Sequence, residues 1–451
     1  MRKLHTKSAL LPEGWTSNVS LAIDASGRIA SVLSGASADD DAERIDMLLP
    51  APSNLHSHAF QRALAGLTEA RGTGGDDFWS WRETMYAFLP RLGPDEIEAI
   101  AAMLYVELAE SGFAAVAEFH YLHHQPDGSP YEDIAETAGR IASAASQAGI
   151  GLTFLPVAYA RGGFGGKPVT DGQKRFANEP EELLQIREAA IRHLVRADDT
   201  LGIAPHSLRA VTGEDFATLL DGIDIGPVHI HIAEQMREVE DCQAWSGQRP
   251  VEWLLDQVNV NENWCLIHAT HMTLEETRRL AATGAVAGLC PTTEADLGDG
   301  IFPGIDWQTH KGRWGIGTDS HVRTDVAEEL RLLEWSQRLA HRKRTLLAED
   351  GQSNGRALYD TALAGGAQAL GRQTGAIAAG QWADLVSLDT DHPALTGKAG
   401  DAALDSWIFS SGRNCIRDVW SAGRRMVTAG RHMRREEVAA RYRRTIGKLL
   451  A

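Results

Sequence analysis

Two hydrophobic periods alternate along the chain, and the switching between them predicts most of its elements. Residues 19–23 and 28–32 alternate apolar and polar positions around the turn Asp24-Ala25-Ser26-Gly27, which predicts a β-hairpin. The apolar run from Met47 to Pro52 then leads into Asn54-Leu55-His56-Ser57-His58, read as the end of a first core strand. Further strand signals recur at 114–118, 152–158, 201–205, 228–233, 264–267, 285–289 and 313–317, which makes eight with the first. Between them the period lengthens to that of a helix. Pro94 opens one whose apolar residues Ile97, Ile100, Ala101, Leu104 and Leu108 keep to one face until Gly112. Others fit 133–148, 181–195, 250–258 and 326–342, and Thr273 with Glu276 forms a capping box ahead of one more. The aromatic stretch 78–82 follows neither period and reads as irregular.

Strands that alternate with helices argue for a parallel sheet with crossover helices. Eight such units make an α/β fold, a (β/α)8 TIM-like barrel over residues 49–372, with chemistry expected at the C-terminal strand ends. Strand signals return at 375–380, 383–388, 416–420 and 425–427. Together with the opening hairpin they predict a small β-sandwich domain built from both termini, residues 1–48 and 373–430. A C-terminal helix over 431–451 follows, its mixed charges marking a solvated face.

Composition narrows the partners. A 43% hydrophobic content with a formal charge of −17 is that of a globular protein and speaks against nucleic acid, which requires a concentrated basic surface. No apolar run reaches the length of a membrane span, and the basic start lacks the apolar core of a signal peptide, so a cytoplasmic location is expected. Cys242, Cys265, Cys290 and Cys415 lie far apart, which excludes a thiolate metal cluster and leaves histidine and carboxylate as ligands.

Side chains two apart on a strand share a face, so His56 and His58 can grip one ion together. His231, in the run His229-Ile230-His231-Ile232-Ala233-Glu234, stands nearer the catalytic end than His229, which reads as a core histidine. Asp319 ends the eighth strand, and barrel closure brings that strand beside the first. The set His56, His58, His231 and Asp319 therefore predicts one metal ion, best served by zinc, with Fe2+ or Mn2+ also suited to such donors. The absence of lysine from 152–158 removes a bridging modified lysine, and with it a second metal. Glu234 follows His231 by three residues, and His268 ends the sixth strand.

This constellation, H-x-H on the first strand, H-x-x-E on the fifth, His on the sixth and Asp on the eighth, resembles the deaminase branch of the amidohydrolase superfamily, and the likeness spans the whole chain. The resemblance implies that Asp319 takes a proton from the attacking water, that His268 orients it, and that Glu234 delivers a proton to the leaving nitrogen. Gln61, Arg82, Tyr121, His206, Arg209 and Ser320 are similar to the substrate-binding residues of those members that deaminate the formimino group of a small dicarboxylate in bacterial histidine degradation. A dianionic small-molecule substrate and a homodimer are thereby implied. Two guanidinium forks suit two carboxylates, which a nucleobase pocket does not require. Glu294-Ala295-Asp296 departs from the Ser-Asn pair that many related deaminases carry after Cys290-Pro291. Deamination of guanine or an adenosine derivative, and a barrel retained without catalysis, are the competing readings.

Overall fold

The computed structural model describes residues 1–69, 78–223 and 226–451. The chain begins with β1 (Arg2–Leu11), β2 (Gly14–Ile23), β3 (Ile29–Ser34) and β4 (Glu43–Pro50). β1, masked in the sequence by its basic start, pairs antiparallel with β2 and parallel with β4. The barrel strands follow: β5 (Ser53–Ser57), β6 (Ala115–His120), β7 (Gly151–Ala158), β8 (Thr200–Leu201), β9 (Ala204–Pro205), β10 (Val228–Ile232), β11 (Trp264–His268), β12 (Val286–Leu289) and β13 (Arg313–Ile316). They form two parallel sheets, β5-β6-β7-β8 with β9 also beside β7, and β10-β11-β12-β13. Parallel bridges Ser57–Asp319 and Ile203–Val228 join the sheets at both seams, giving a TIM-barrel-like body.

The strand predicted over 201–205 is interrupted between β8 and β9, although both halves keep one register against β7. Pro156 in β7 has no N–H to give, so the ladder loses a bond opposite Gly202 and Ile203. Inside the barrel, Leu55 fills the centre because Gly288 and Gly315 leave room for it. A Cβ on either glycine would lie 2.9 or 2.6 Å from a Leu55 methyl group.

Helices lie close to their expected places. Pro94–Glu110, Glu136–Ala148, Pro180–Ala190, Pro250–Gln257 and Val326–His341 match within a few residues. Thr273 and Glu276 exchange the reciprocal bonds of a capping box ahead of Leu274–Ala282. The stretch 78–82 is a correction: it opens the helix Phe78–Phe88, whose buried face is Phe78, Met85 and Phe88. Its period emerges only when the window extends past Arg82.

The terminal strands differ from the expected sandwich in detail. With β14 (Leu385–Leu388), β15 (Ile416–Ser421), β16 (Arg424–Thr428) and β17 (Arg431–His432), they hydrogen-bond into one continuous sheet in the order β17-β16-β15-β14-β4-β1-β2-β3. One face gathers a second, smaller core around Leu4, Val19, Leu21, Leu48, Leu385 and Trp420, while Leu10, Met47, Leu49 and Val386 join the main core. The predicted strand at 375–380 is absent: Gly375 and Gly380 take positive φ, and only a short contact of Gly380 and Gln381 with Ile29 remains. The tail starts as β17 before the helix Arg435–Leu450.

Arg372 ties this sheet to the barrel. Its guanidinium donates to both carboxylate oxygens of Asp384 at 2.7 and 3.0 Å, and to the carbonyl and carboxylate of Asp198 at 2.7 and 3.2 Å. All three side chains are almost fully buried. Arg372→Met would leave Asp384 without its cation and Asp198 with only Arg424, at a cost of about 3–5 kcal/mol. Urea denaturation reads this as a lowered midpoint; a wild-type midpoint would show that the cluster does not hold the two bodies together.

Candidate metal centre and active site

Backbone geometry at the strand ends aims the polar side chains. β10, β11 and β13 are left through residues with positive φ, namely Ala233 at 51°, His268 at 69° and Asp319 at 45°. Residues with a Cβ are strained there, and such strain is found where chemistry fixes a side chain. Asp319 is held against the first strand as well: its N–H donates to His56 O at 3.1 Å, and its carbonyl accepts from His58 N–H at 3.1 Å.

Three imidazoles converge. His56 Nε2 lies 3.1 Å from His58 Nε2 and 3.0 Å from His231 Nε2, and the last two are 3.3 Å apart. Asp319 Oδ1 lies 3.5 Å from His56 Nε2 and 3.4 Å from His58 Nε2. Burial drives His56 and His231 well below the usual imidazole range and His58 to about 3, so all three rings are neutral. His58 Nδ1–H donates to Phe119 O at 2.9 Å and His231 Nδ1–H to His206 O at 3.1 Å, which leaves the Nε2 lone pairs bare and facing one another. Lone pairs in that array repel unless a cation lies among them. A four-coordinate cation with bonds of about 2.0–2.1 Å has ligand-to-ligand edges of roughly 3.3 Å, which is the spacing found. Burial also pushes the Asp319 carboxyl up to about 7, a cost that an adjacent cation removes. The donor set fits a metal cofactor.

Beside it lies a second cluster of ionisable side chains. His268 Nε2 is 3.5 Å from Glu234 Oε1 and 3.7 Å from Asp319 Oδ2. Its Nδ1 faces Glu294 Oε1 at 3.3 Å, and Glu294 also accepts from Cys290 N–H at 2.9 Å. Burial works against charge on this ring, yet the carboxylates of Glu234, Glu294 and Asp319 outweigh it and raise the His268 pKa well above its usual value. The departure noted at Glu294 thus adds, after Glu234, to the raised pKa of His268, a link the sequence did not disclose. His229 donates to or accepts from nothing at this centre; its Nε2 lies 2.7 Å from Ala369 O, on the far side of the core.

A pocket of about 600 Å³, counting the solvent at its mouth, opens above this floor. Gln61, Arg82, Tyr121, His206, Arg209 and Ser320 all line it, together with His58, His231, Glu234, His268 and Asp319. Gln61 Nε2 donates to Tyr121 OH at 2.9 Å, and its Oε1 is left over. The Arg82 and Arg209 guanidiniums sit 4.5 and 5.6 Å from the Trp79 ring centre. Buried atoms of both, Nε of Arg82 and Nη1 of Arg209, have no hydrogen-bond partner, and neither side chain has a carboxylate within 4.0 Å among the described residues. Sequence reasoning missed the aromatic wall of Phe78, Trp81, Tyr86, Tyr159 and Phe176. Tyr86, one turn after Arg82, carried a helical signal that a longer window would have caught.

Comparison with known proteins accords with this geometry. The family model described as "Amidohydrolase family" matches residues 47–426, and that described as "Formimidoylglutamate deiminase HutF, N-terminal domain" matches residues 1–46. Formimidoylglutamate deiminase of Pseudomonas aeruginosa is 52% identical over 100% of both chains. A 5-methylthioadenosine/S-adenosylhomocysteine deaminase of Natronomonas pharaonis is 28% identical over 83% of this chain and 81% of its own. Among solved structures, an amidohydrolase from Brucella melitensis has a TM-score of 0.96 at 48% identity, covering 100% of both chains. An adenosine deaminase from Xanthomonas campestris with bound zinc has a TM-score of 0.81 at 22% identity, covering 99% and 98%, a likeness of fold. Ligand array, pocket and full-length similarity agree, and the chain belongs to the amidohydrolase family, among its formimidoylglutamate deiminases.

Proposed function

We propose that the chain hydrolyses N-formimidoyl-L-glutamate to N-formyl-L-glutamate and ammonia, a step of histidine degradation. One observation carries the choice of substrate: two arginines that have no carboxylate partner among the described residues face the pocket above the metal-ligand array. An unpaired guanidinium in an enclosed site is costly until an anion meets it, and two of them call for two carboxylates. Gln61 and Tyr121 provide further polar contacts, and Ser320 and His206 stand at the rim of the reacting end.

The metal held by His56, His58, His231 and Asp319, which we take to be one zinc ion per chain, would supply polarised water at neutral pH. Asp319 accepts a proton from that water at Oδ2, the oxygen nearer His268. His268 Nε2 steadies the charge that develops on the attacked formimino carbon's oxygen. Glu234 Oε1, 3.5 Å from His268, delivers a proton to the nitrogen that leaves as ammonia.

The same reading divides the chain into a barrel over 49–372, a sandwich-like unit over 1–48 and 373–430, and a closing helix. It places a homodimer in the cytoplasm. The second core supports the division, the family likeness supports the dimer, and among the described residues no helix is long and apolar enough to cross a membrane.

Ammonia release across a panel of N-formimidoyl-L-glutamate, guanine, adenosine and S-adenosylhomocysteine tests the assignment. Turnover of the first alone is expected; a nucleobase or nucleoside as preferred substrate would overturn it. Glu234→Gln should lower kcat by about 10²–10⁴-fold with one metal ion per chain retained. Loss of metal from that variant would instead make Glu234 a ligand. Arg209→Met should reduce kcat/KM by about 2–5 kcal/mol, chiefly through a higher KM. Unaltered kinetics would remove Arg209 from substrate binding.

A further inference from the structure

Glu238 is wholly buried and belongs to neither the metal-ligand set nor the pocket lining. It lies in the first turn of the helix Met236–Ser246, where an acidic side chain ordinarily caps its own helix. Here the carboxylate reaches further back. Oε1 accepts the N–H of Ala233 at 3.3 Å and Oε2 the N–H of Glu234 at 3.2 Å, two residues that precede the helix cap at Gln235. Ala233 holds the left-handed conformation through which the chain leaves β10, so these two bonds clamp the strained turn that presents Glu234.

The second clue is electrostatic. A purely structural clamp needs only an acceptor, whereas this one is a buried carboxylate, made costly to charge first by its burial and further by the neighbouring Glu234. The compensating charge is Arg209, on which Glu238 acts more strongly than any other acid. Yet Glu238 forms no ion pair with it within 4.0 Å, so the guanidinium stays open toward the pocket.

We infer that Glu238 is a positioning residue: one carboxylate fixes the turn that presents Glu234 and, from a distance, tempers the grip of Arg209 on a substrate carboxylate. The inference rests on the proposed substrate. Tempering matters because the product keeps both carboxylates, and a site that held them too firmly would be slow to release it.

The two functions separate by substitution. In Glu238→Gln the amide NH2 opposes one of the two backbone N–H groups and the charge is gone. Its kcat for N-formimidoyl-L-glutamate should drop about tenfold or more, since a slightly misplaced proton donor is that costly. The inhibition constant of N-formyl-L-glutamate, measured as a competitive inhibitor, should fall about three- to tenfold as Arg209 attracts the dianion unopposed. Glu238→Asp keeps the charge but withdraws it by one methylene, and should lose kcat with the inhibition constant unchanged. Metal content and thermal melting accompany both variants, and wild-type enzyme is assayed in parallel. Wild-type failure to use the substrate would reject the functional reading itself. With wild-type activity present, a folded, metal-loaded Glu238→Gln with unchanged kcat, or with weaker product binding, overturns the inference. Should that variant not fold, wild-type kcat in Glu238→Asp overturns it instead.

Discussion

The closure of β13 onto β5 is the constraint on which the site depends. Ser57 and Asp319 form the bridge at that seam, so the backbone that seals the barrel is the backbone that carries His56, His58 and Asp319. Beneath it runs a directed chain of buried hydrogen bonds. Asn54 Nδ2 donates to Thr318 Oγ1 at 2.6 Å, Thr318 Oγ1 to His321 Nδ1 at 2.8 Å, His321 Nε2 to Ser57 Oγ at 3.0 Å, and Ser57 Oγ to Glu118 Oε2 at 2.5 Å. Burial keeps His321 neutral, so its ring donates at one nitrogen and accepts at the other, as this sense of the chain requires. Glu118 ends it as an acceptor of three donors, Ser57 Oγ, Tyr105 OH and Ala59 N–H, on either side of His58. The ligand array is thus set by a polar lattice reaching a full layer below it.

How much of this was legible follows from the kind of signal each part leaves. His56, His58 and His231 stand out because a two-residue period puts them on one face at a strand end, and Asp319 because closure fixes which strand meets the first. The helical face of Phe78, Met85 and Phe88 was hidden by its spacing, which a five-residue window cannot hold. β1 was hidden by its basic residues, and the break at Gly202 by a proline on a different strand. The aromatic wall left only fragments of a pattern, the stretch 78–82 and the helical spacing of Tyr86: Tyr86, Tyr159 and Phe176 come from three segments, and only packing brings Tyr159 and Phe176 to 5.0 Å and Tyr86 and Phe176 to 5.8 Å between ring centres. Glu238 reads in sequence as an ordinary acidic first turn, and its function lies in which N–H groups it reaches.

The pocket has two chemically distinct ends. On its wall, Arg82 and Arg209 approach the ring of Trp79, while the exposed Arg237, outside the lining, sits 4.6 Å from the same ring centre and pairs with Asp241. The indole face stabilises Arg82 and Arg209 without neutralising them, so they remain able to bind an anion. At its floor, Glu234, Glu294, Asp299 and Asp319 crowd about His268. Burial foremost, with these neighbours, pushes Asp299 up to about 9, and its Oδ2 is without a partner. In a chain of net charge −17, these two arginines would give the proposed dianion its point of attraction.

Such polarity orders a ligand as well as attracting it. A molecule with carboxylates at one end and a basic, cationic formimino group at the other gains from only one orientation, with its acid groups on the arginines and its nitrogen toward Glu234. The reversed pose would take the carboxylates off the arginines and set the cationic group against guanidinium, a contact that repels in an enclosed site of low dielectric. A neutral base would leave both arginines without an anion, so the guanidiniums that would hold the proposed dicarboxylate also disfavour the nucleobase. In the proposed reaction, specificity follows from the span between the two arginines and Glu234, and the metal-ligand array lies at the end where the scissile carbon–nitrogen bond would arrive.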